Sequence, residues 1–341
     1  MPPRVSVLLP VRNAAATLAR AVDAIRGQTF SAWELMAVDD GSTDDSAALL
    51  GGLARIDPRV RVIQQPARGI VAALAAALDG ARGEYIARMD ADDDAHPERL
   101  EQQVAFLDRH PEIGVAGSLV DFGGDRAASG GFALYVDWLN SLVTPEAIAL
   151  NRFIESPFAH PSVMFRRKLV AQHGGYRAGD FPEDYELWLR WAAAGVRMAK
   201  VPRVLLRWND PPGRLSRTDP RYGPDAFFRM KAEWIARALA AHDAGRGRPV
   251  WVWGAGRHTR KRASWLTAHG VRIEGYIDVD AKKATPALGG FGVPVILPDA
   301  LPPPGARFVL GYVSTRGARD YIRDVLRARG HEEGRDFLMC A

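Results

Sequence analysis

Over its first 90 residues the chain alternates short β-rich runs with helix-patterned stretches, and that alternation leaves few folds open. Val5-Ser6-Val7-Leu8-Leu9 stops at Pro10; residues 33–38 end at Asp39-Asp40-Gly41; residues 60–63 form a third run and residues 84–89 a fourth. Between them, residues 14–27 carry helical spacing through Leu18, Ala21, Val22 and Ile25, and residues 70–81 read as another helix. Ser42 is expected to cap a helix, with Asp45 at the third position of a capping-box-like pattern, and Pro97 to open one at its first turn. Strands alternating with helices imply an α/β fold with a largely parallel sheet covered on both faces. Ligands of such sheets sit beyond the carboxyl ends of the strands. Residues 10–13, Asp39-Asp40 and Asp90-Ala91-Asp92 all lie at such ends, so they are expected to converge on one crevice.

The fourth run ends in Met89-Asp90-Ala91-Asp92-Asp93-Asp94, four carboxylates within five residues. Like charges this close repel and raise one another's pKa unless a cation neutralises them. Side chains at i and i+2 of a strand share a face, so Asp90 and Asp92 are expected to project together. Such a pair suits a hard divalent cation, Mg²⁺ or Mn²⁺, which in turn can hold a diphosphate. A solvated acidic turn is the plain alternative. A calcium loop with Asp90, Asp92, Asp94 and Glu101 as ligands fails: Ala95 stands where that loop needs glycine, Pro97 interrupts it, and no helix leads in.

At 341 residues the chain has room for two domains, and 47% apolar against 25% charged residues is an ordinary globular balance able to bury both cores. Met1-Pro2-Pro3-Arg4 runs straight into the first strand, so no signal peptide is expected. The apolar run from Ile70 to Leu78 is far short of the roughly 20 residues of a spanning helix. A lone cysteine, Cys340, excludes an intrachain disulfide and fits a reducing compartment. A cytoplasmic location is expected. Charge is uneven: from Arg248 onward 15 Lys/Arg face 9 Asp/Glu, net +6, whereas the preceding part carries 30 and 31, net −1. A basic C-terminal part could meet anionic lipid or a phosphate-bearing ligand, or be a solvated surface. With no basic-aromatic platform, nucleic acid is not an expected partner.

Further along, residues 121–180 are less regular, with Gly123-Gly124 and Gly130-Gly131 expected in loops. Leu187, Trp188 and Trp191 suit a helix whose N-terminal Glu183-Asp184 complements its dipole. A helix over residues 226–242 is expected to close a first domain of residues 1–245. Gly245-Arg246-Gly247-Arg248-Pro249 reads as a linker to a second domain, residues 249–341.

Taken together, residues 4 to about 240 resemble the family 2 glycosyltransferases with the GT-A fold. The resemblance rests on Val7-Leu8-Leu9-Pro10-Val11-Arg12-Asn13, Val38-Asp39-Asp40-Gly41-Ser42-Thr43-Asp44, Arg68-Gly69-Ile70, Arg88-Met89-Asp90-Ala91-Asp92-Asp93 and Pro182-Glu183-Asp184, five motifs in order. It implies inverting transfer of a sugar from a nucleoside diphosphate, UDP being the commonest carrier, to an acceptor hydroxyl on a saccharide or lipid-linked saccharide. By the same resemblance Pro10, Val11, Asn13, Asp39 and Asp40 match the nucleoside pocket, where a carboxylate can accept a uracil N–H or contact ribose. Arg68 and Gly69 match a donor-contacting loop, and Arg88, Asp90, Ala91 and Asp92 the DxD segment, with Asp92 and Asp90 as metal ligands. Asp184 matches the base that takes the acceptor's proton, Glu183 being the fallback. His160 and Trp188 fall on the acceptor side. Trp188-Leu189-Arg190-Trp191 is similar to part of the QxxRW box of processive members, but Leu187 replaces the glutamine, which argues for single addition. A nucleotidyltransferase would want a glycine-rich basic loop where Pro10-Val11-Arg12-Asn13 stands. A catalytically idle nucleotide-binding scaffold, recruiting a partner through its C-terminal domain, is the rival from another class. Bacterial surface polysaccharide or glycolipid assembly is the setting the family implies, with peripheral attachment to the inner membrane face.

Residues 249–341 resemble a small Rossmann-type module. Strand 250–253, Gly254-Ala255-Gly256, a helix reaching His269 and strand 273–277 ending in Asp278 follow the dinucleotide fingerprint, but Thr259 occupies the third glycine position. A second nucleotide site on Gly254, Gly256 and Asp278, with Arg257 or Arg260 near phosphate, is one expectation. A docking or dimerisation module that kept the fold without the ligand is the other.

Overall fold

The structure is a computed structural model and describes residues 2–211, 213–242, 247–286 and 292–341. Two compact units emerge: Met1–Ile148 with Pro157–Asp219, and Ala149–Ser156 with Pro220–Ala341.

Unit 1 is built on eight strands: β1 (Val5–Val11), β2 (Trp33–Asp40), β3 (Val60–Gln65), β4 (Tyr85–Arg88), β5 (Asp94–Ala95), β6 (Ile113–Phe122), β7 (Met164–Arg166) and β8 (Arg197–Trp208). Their order in the sheet is β3-β2-β1-β4-β7-β6-β8-β5. The first four pair in parallel, as the alternation predicts; β7 then runs antiparallel to both β4 and β6. Alternation along β1 explains how the sheet is covered. Val5, Val7, Leu9 and Val11 face one core with Leu18, Ala21, Val22 and Ile25 of α1 (Ala15–Arg26), while Leu8 faces the other. That second core takes Ala73, Leu74 and Ala77 of α3 (Ile70–Gly80), which follows α2 (Ser46–Ile56), together with Leu187, Trp188 and Trp191. The remaining helices of the unit are α4 (Arg99–Arg109), α5 (Gly130–Ser141), α6 (Pro145–Asn151), α7 (Lys168–His173), α8 (Glu183–Ala193) and α9 (Leu215–Thr218), α6 running on into the other unit.

Two local expectations change. Ser42 caps no helix: α2 starts at Ser46, and the Ser42 hydroxyl accepts from the Asn13 amide at 3.0 Å. The Ser46 hydroxyl and Asp44 carboxylate likewise accept from the amides of Ala14 and Ala15. Residues that look like caps satisfy the loop after β1 instead. Gly130 and Gly131 open α5 rather than a loop.

Unit 2 carries an all-parallel sheet ordered β11-β10-β9-β12-β13, from β9 (Val250–Trp253), β10 (Ile273–Ile277), β11 (Val295–Ile296), β12 (Phe308–Gly311) and β13 (Phe337–Met339). Its helices are α10 (Pro224–His242), α11 (Arg257–Ser264) and α12 (Ala318–Ala328). Helix α10, expected to close the first domain, belongs to this unit. Lys231, buried midway along it, donates to the carbonyls of Phe153 (2.9 Å), Ile154 (3.1 Å) and Cys340 (2.9 Å). One buried ammonium therefore ties α10 to residues 149–156 and to the C-terminal strand, a tertiary bond that linker composition cannot reveal. The division thus falls at Asp219/Pro220 instead of the expected linker, of which Gly245 and Arg246 lie outside the described residues.

Close backbone packing at the start of the sheet gives a stability prediction. A Cβ on Gly83 would come within 2.6 Å of the Ser6 nitrogen and 2.8 Å of the Val5 carbonyl carbon. Gly83→Ala should cost roughly 1–3 kcal/mol, read as a lower urea midpoint for the unit 1 transition.

Candidate functional site

The crevice of unit 1 forms where the parallel strands end. Val11 lies opposite Asp39 and Leu8 opposite Arg88, so the β1–α1 loop, the end of β2 and the chain leaving β4 are adjacent. Asn13, at φ 51°, accepts on its side-chain oxygen from the Thr43 amide at 2.8 Å, binding the first two loops to each other. Asp39 is buried and accepts from the Ser42 amide at 3.2 Å. Asp40 is also buried, but its two oxygens accept from the amides of Arg68 and Gly69 (both 2.8 Å) and from Gln65 Nε2 (2.7 Å). Of the two acids expected to read the nucleoside, Asp40 shapes the loop that carries Arg68, whereas Asp39 holds the turn at Ser42. Arg68 is exposed, and Gly69 stands at φ +89°, a backbone conformation that favours glycine, with open space where a side chain would be.

After β4 the chain makes the acidic turn. Carboxylate oxygens of Asp90, Asp92 and Asp93 lie within 4.8 Å of one another. Burial, then the charge of Asp90, pushes the Asp92 carboxyl up to about 6. Burial, then Asp90 and Asp92, raises Asp93 well above the usual range. One Asp93 oxygen accepts from the Asn209 amide at 2.8 Å; the other is buried with no hydrogen-bond partner. A hard cation with oxygen ligands fits this set, since it would answer both the mutual repulsion and the orphaned oxygen. Asp93, not expected as a ligand, thereby joins Asp90 and Asp92. The turn is held from outside: Arg20 pairs with Asp94 at 2.7 Å, and Asn209 Nδ2 donates to the Asp92 carbonyl at 2.7 Å and to Asp94 at 3.0 Å.

Arg88 feels the charge of both this cluster and the start of α8. Its guanidinium, 1% exposed, donates to Asp90 at 2.6 Å. Burial alone would lower its pKa; Asp90, Tyr176 and Glu183 more than offset that and raise it. Tyr176 is half-buried; loss of water around its phenol raises the pKa, and Glu183, Asp184 and Asp90 push the same way against Arg88. Its hydroxyl is 2.8 Å from His160 Nε2. His160 is held neutral by burial and by Arg88, so its 3.9 Å approach to Glu183 is not an ion pair. Glu183 and Asp184 open α8, Glu183 buried and Asp184 half-buried. Arg88, Asp90, His160, Glu183 and Asp184 are thus brought together around Tyr176, a residue that no sequence motif marks. Trp188 is 1% exposed, and its ring packs edge-on against His160, Phe158, Phe165 and Trp191. Buried in the core, it braces the His160 ring and offers no open surface of its own.

Arg214 also escaped the sequence reading. Its guanidinium stacks on Trp208 (4.3 Å) and Phe132 (4.8 Å), and Nη1 is buried without a hydrogen-bond partner, 3.8 Å from Asp210. Its charge lowers both Asp92 and Asp93. An arginine stacked on aromatics beside a metal-type carboxylate cluster suits a phosphate oxygen.

In unit 2, Gly254 and Gly256 flank the turn after β9, and Asp278 follows β10. Asp278 accepts from the amides of Ala255 (2.8 Å) and Asp280 (3.0 Å) and pairs with Lys283 at 3.1 Å.

Residues 6–174 match the model of the family described as Glycosyl transferase family 2. The chain is 32% identical over 231 residues to the putative glycosyltransferase EpsE of Bacillus subtilis (strain 168), covering 65% of this chain and 79% of the relative. It is 31% identical over 196 residues to the amylovoran biosynthesis glycosyltransferase AmsE of Erwinia amylovora, covering 56% and 69%. Among solved structures, S. aureus TarS 1–349 in complex with UDP-GlcNAc superposes with a TM-score of 0.54 at 18% identity, covering 78% of this chain and 71% of that one. The mannosyltransferase PcManGT of Pyrobaculum calidifontis, in complex with GDP-Man and Mn²⁺, gives 0.50 at 23%, covering 72% and 66%. These likenesses show a shared GT-A fold.

The placement of Asp40 is directly testable without any ligand. In Asp40→Asn an amide NH₂ would face a backbone N–H or the Gln65 amide, leaving a buried donor unmatched. A loss of roughly 1–3 kcal/mol is expected, measured by thermal unfolding of the ligand-free protein, where an acid that only touched nucleotide would be neutral.

Proposed function

The chain belongs to glycosyl transferase family 2, and from that premise we propose a metal-dependent, inverting transfer of a sugar from a nucleoside diphosphate to an acceptor hydroxyl. The observation that carries this reading is that Arg88, hydrogen-bonded to Asp90 of the Asp90–Asp92–Asp93 cluster, also feels the charge of Glu183 at the start of α8. Inverting displacement needs a leaving-group site and a base on opposite sides of one anomeric carbon, and Arg88, paired with Asp90 and within electrostatic reach of Glu183, lies near both.

Asp39, with Pro10, Val11 and the Asn13 loop, receives the nucleoside, and the Arg68–Gly69 loop borders the phosphates. Asp90, Asp92 and Asp93 hold Mg²⁺ or Mn²⁺, which when bound stabilises charge on the departing diphosphate. Arg214 gives the diphosphate a second cationic contact. Asp184 accepts the acceptor's proton as its oxygen bonds to the anomeric carbon, while the bond from that carbon to the diphosphate oxygen breaks and its electron pair leaves with the nucleotide. Glu183 and neutral His160, through Tyr176, orient this edge of the site. A UDP-sugar is the favoured donor.

The relative named for amylovoran biosynthesis favours a role in bacterial surface polysaccharide or glycolipid assembly on a saccharide or lipid-linked acceptor. Among the described residues no helix is long and apolar enough to cross a membrane. The +6 C-terminal part supports peripheral attachment at an anionic inner surface, and its separate unit could serve self-association.

Calorimetry with UDP, GDP, dTDP and CDP, with and without Mn²⁺, names the donor class. One nucleotide should bind in a metal-dependent way, and Asp92→Asn should lose that dependence. No binding by any of the four would favour an idle scaffold. Asp184→Asn should retain donor binding and lose transfer by about 10²–10⁴-fold; undiminished transfer would remove Asp184 as the base. Arg214→Ala should raise the donor KM by roughly tenfold.

A further inference from the structure

Unit 2 holds a cavity of about 300 Å³ that the transfer reaction does not use. It opens at the carboxyl end of the parallel sheet, between β9 and β12, where the strand order reverses direction away from β9. Open parallel sheets take their ligands at this crevice. Its lining is mixed, as binding sites are: Trp253 and Ile322 form an apolar wall, Thr259 and Thr315 bring hydroxyls, and Lys283 brings a cation.

One end of the cavity suits phosphate. A Cβ on Gly256, the residue capping α11, would meet no atom within 4 Å, so the start of α11 faces open space there. The first amides of a helix have no intrahelical acceptor and carry its positive dipole end. Lys283 pairs with Asp278 on the facing wall at 3.1 Å, which offsets the charge of the one acid lining the cavity, and lies 3.9 Å from Asp280. The other end suits a flat apolar group: Val279 is 60% exposed and Tyr321 48% exposed, both on the cavity rim. Large apolar side chains standing out at a cavity mouth offer a face to stack against.

Three features set the ligand's size. The cavity is at the small end of ligand pockets. Asp278, which in a dinucleotide fold would accept ribose hydroxyls, is already engaged by two amides and Lys283. Thr259 fills the third glycine position, and its methyl would lie 2.9 Å from a Cβ on Gly254, closing the strand–helix gap. We propose that this crevice binds one nucleotide, a nucleoside mono- or diphosphate, with phosphate on the first turn of α11 and the base against Tyr321 and Val279. The inference does not depend on the transfer reading of unit 1.

Calorimetry of the full chain in EDTA, which silences the carboxylate site, tests it with AMP, UMP, UDP and NAD⁺. A mononucleotide should bind one-to-one, and Gly256→Asp should weaken it by roughly tenfold or more by placing a carboxylate where phosphate sits. Gly256 has φ −64°, and aspartate is a good helix cap, so this variant should melt as the parent does. Tyr321→Ala should weaken binding several-fold by a separate route, while Asp92→Asn should bind like the parent. No binding at millimolar nucleotide, binding of NAD⁺ alone, or loss in Asp92→Asn with retention in Gly256→Asp would each overturn the proposal.

Discussion

Two buried guanidinium groups lie under the carboxylate turn, and the rest of unit 1 is arranged to keep them there. Arg88 is 1% exposed and Arg99 0%. An isolated buried charge costs several kcal/mol, so each must be compensated. Arg88 spends its charge on Asp90. Burial lowers Arg99 to about 9, while Asp93 pulls the other way. Arg99 also donates to the Arg88 carbonyl at 2.7 Å, to the Val163 carbonyl at 3.3 Å and to Gln103 at 3.1 Å. It thereby pins the end of β4 to the strand that follows His160. Neither the acids nor the arginines could be buried alone, so the fold and the site stabilise each other.

This mutual dependence explains what was readable from residues alone. The strand–helix alternation is a local property, with periods of 2 and 3.6, and β1 to β4 and the helices between them lie where those periods put them. Strand ends and their acids follow from the same reading. Tyr176 is invisible because its role is to stand among Arg88, His160 and Glu183, which come from three separate stretches of chain. Arg214 sits in an irregular stretch and acquires its position only by stacking on Trp208 and Phe132. Lys231 reads as an ordinary helix-surface lysine, yet its three carbonyl partners decide to which unit α10 belongs. Ser42 shows the reverse error: local chemistry that favours a cap was taken by a loop 29 residues away.

The sheet order gives the deeper reason for the site's location. Both β2 and β4 pair with β1, on opposite sides, so the loops leaving β1 and β4 part at the switch point and open a crevice between them. Unit 2 repeats the plan, with β10 and β12 on either side of β9. What fills the two crevices differs. In unit 1 the turn after β4 is a triad of crowded acids, which in the reading we propose a cation separates from an anionic ligand. In unit 2 the turn after β9 is Gly254-Ala255-Gly256 leading into a helix, and the one acid at the rim is neutralised by Lys283. There an anion can be met by backbone amides directly. A single topological constraint therefore yields two crevices of different electrostatic make-up, and the residues at the strand ends, rather than the sheets themselves, set that difference.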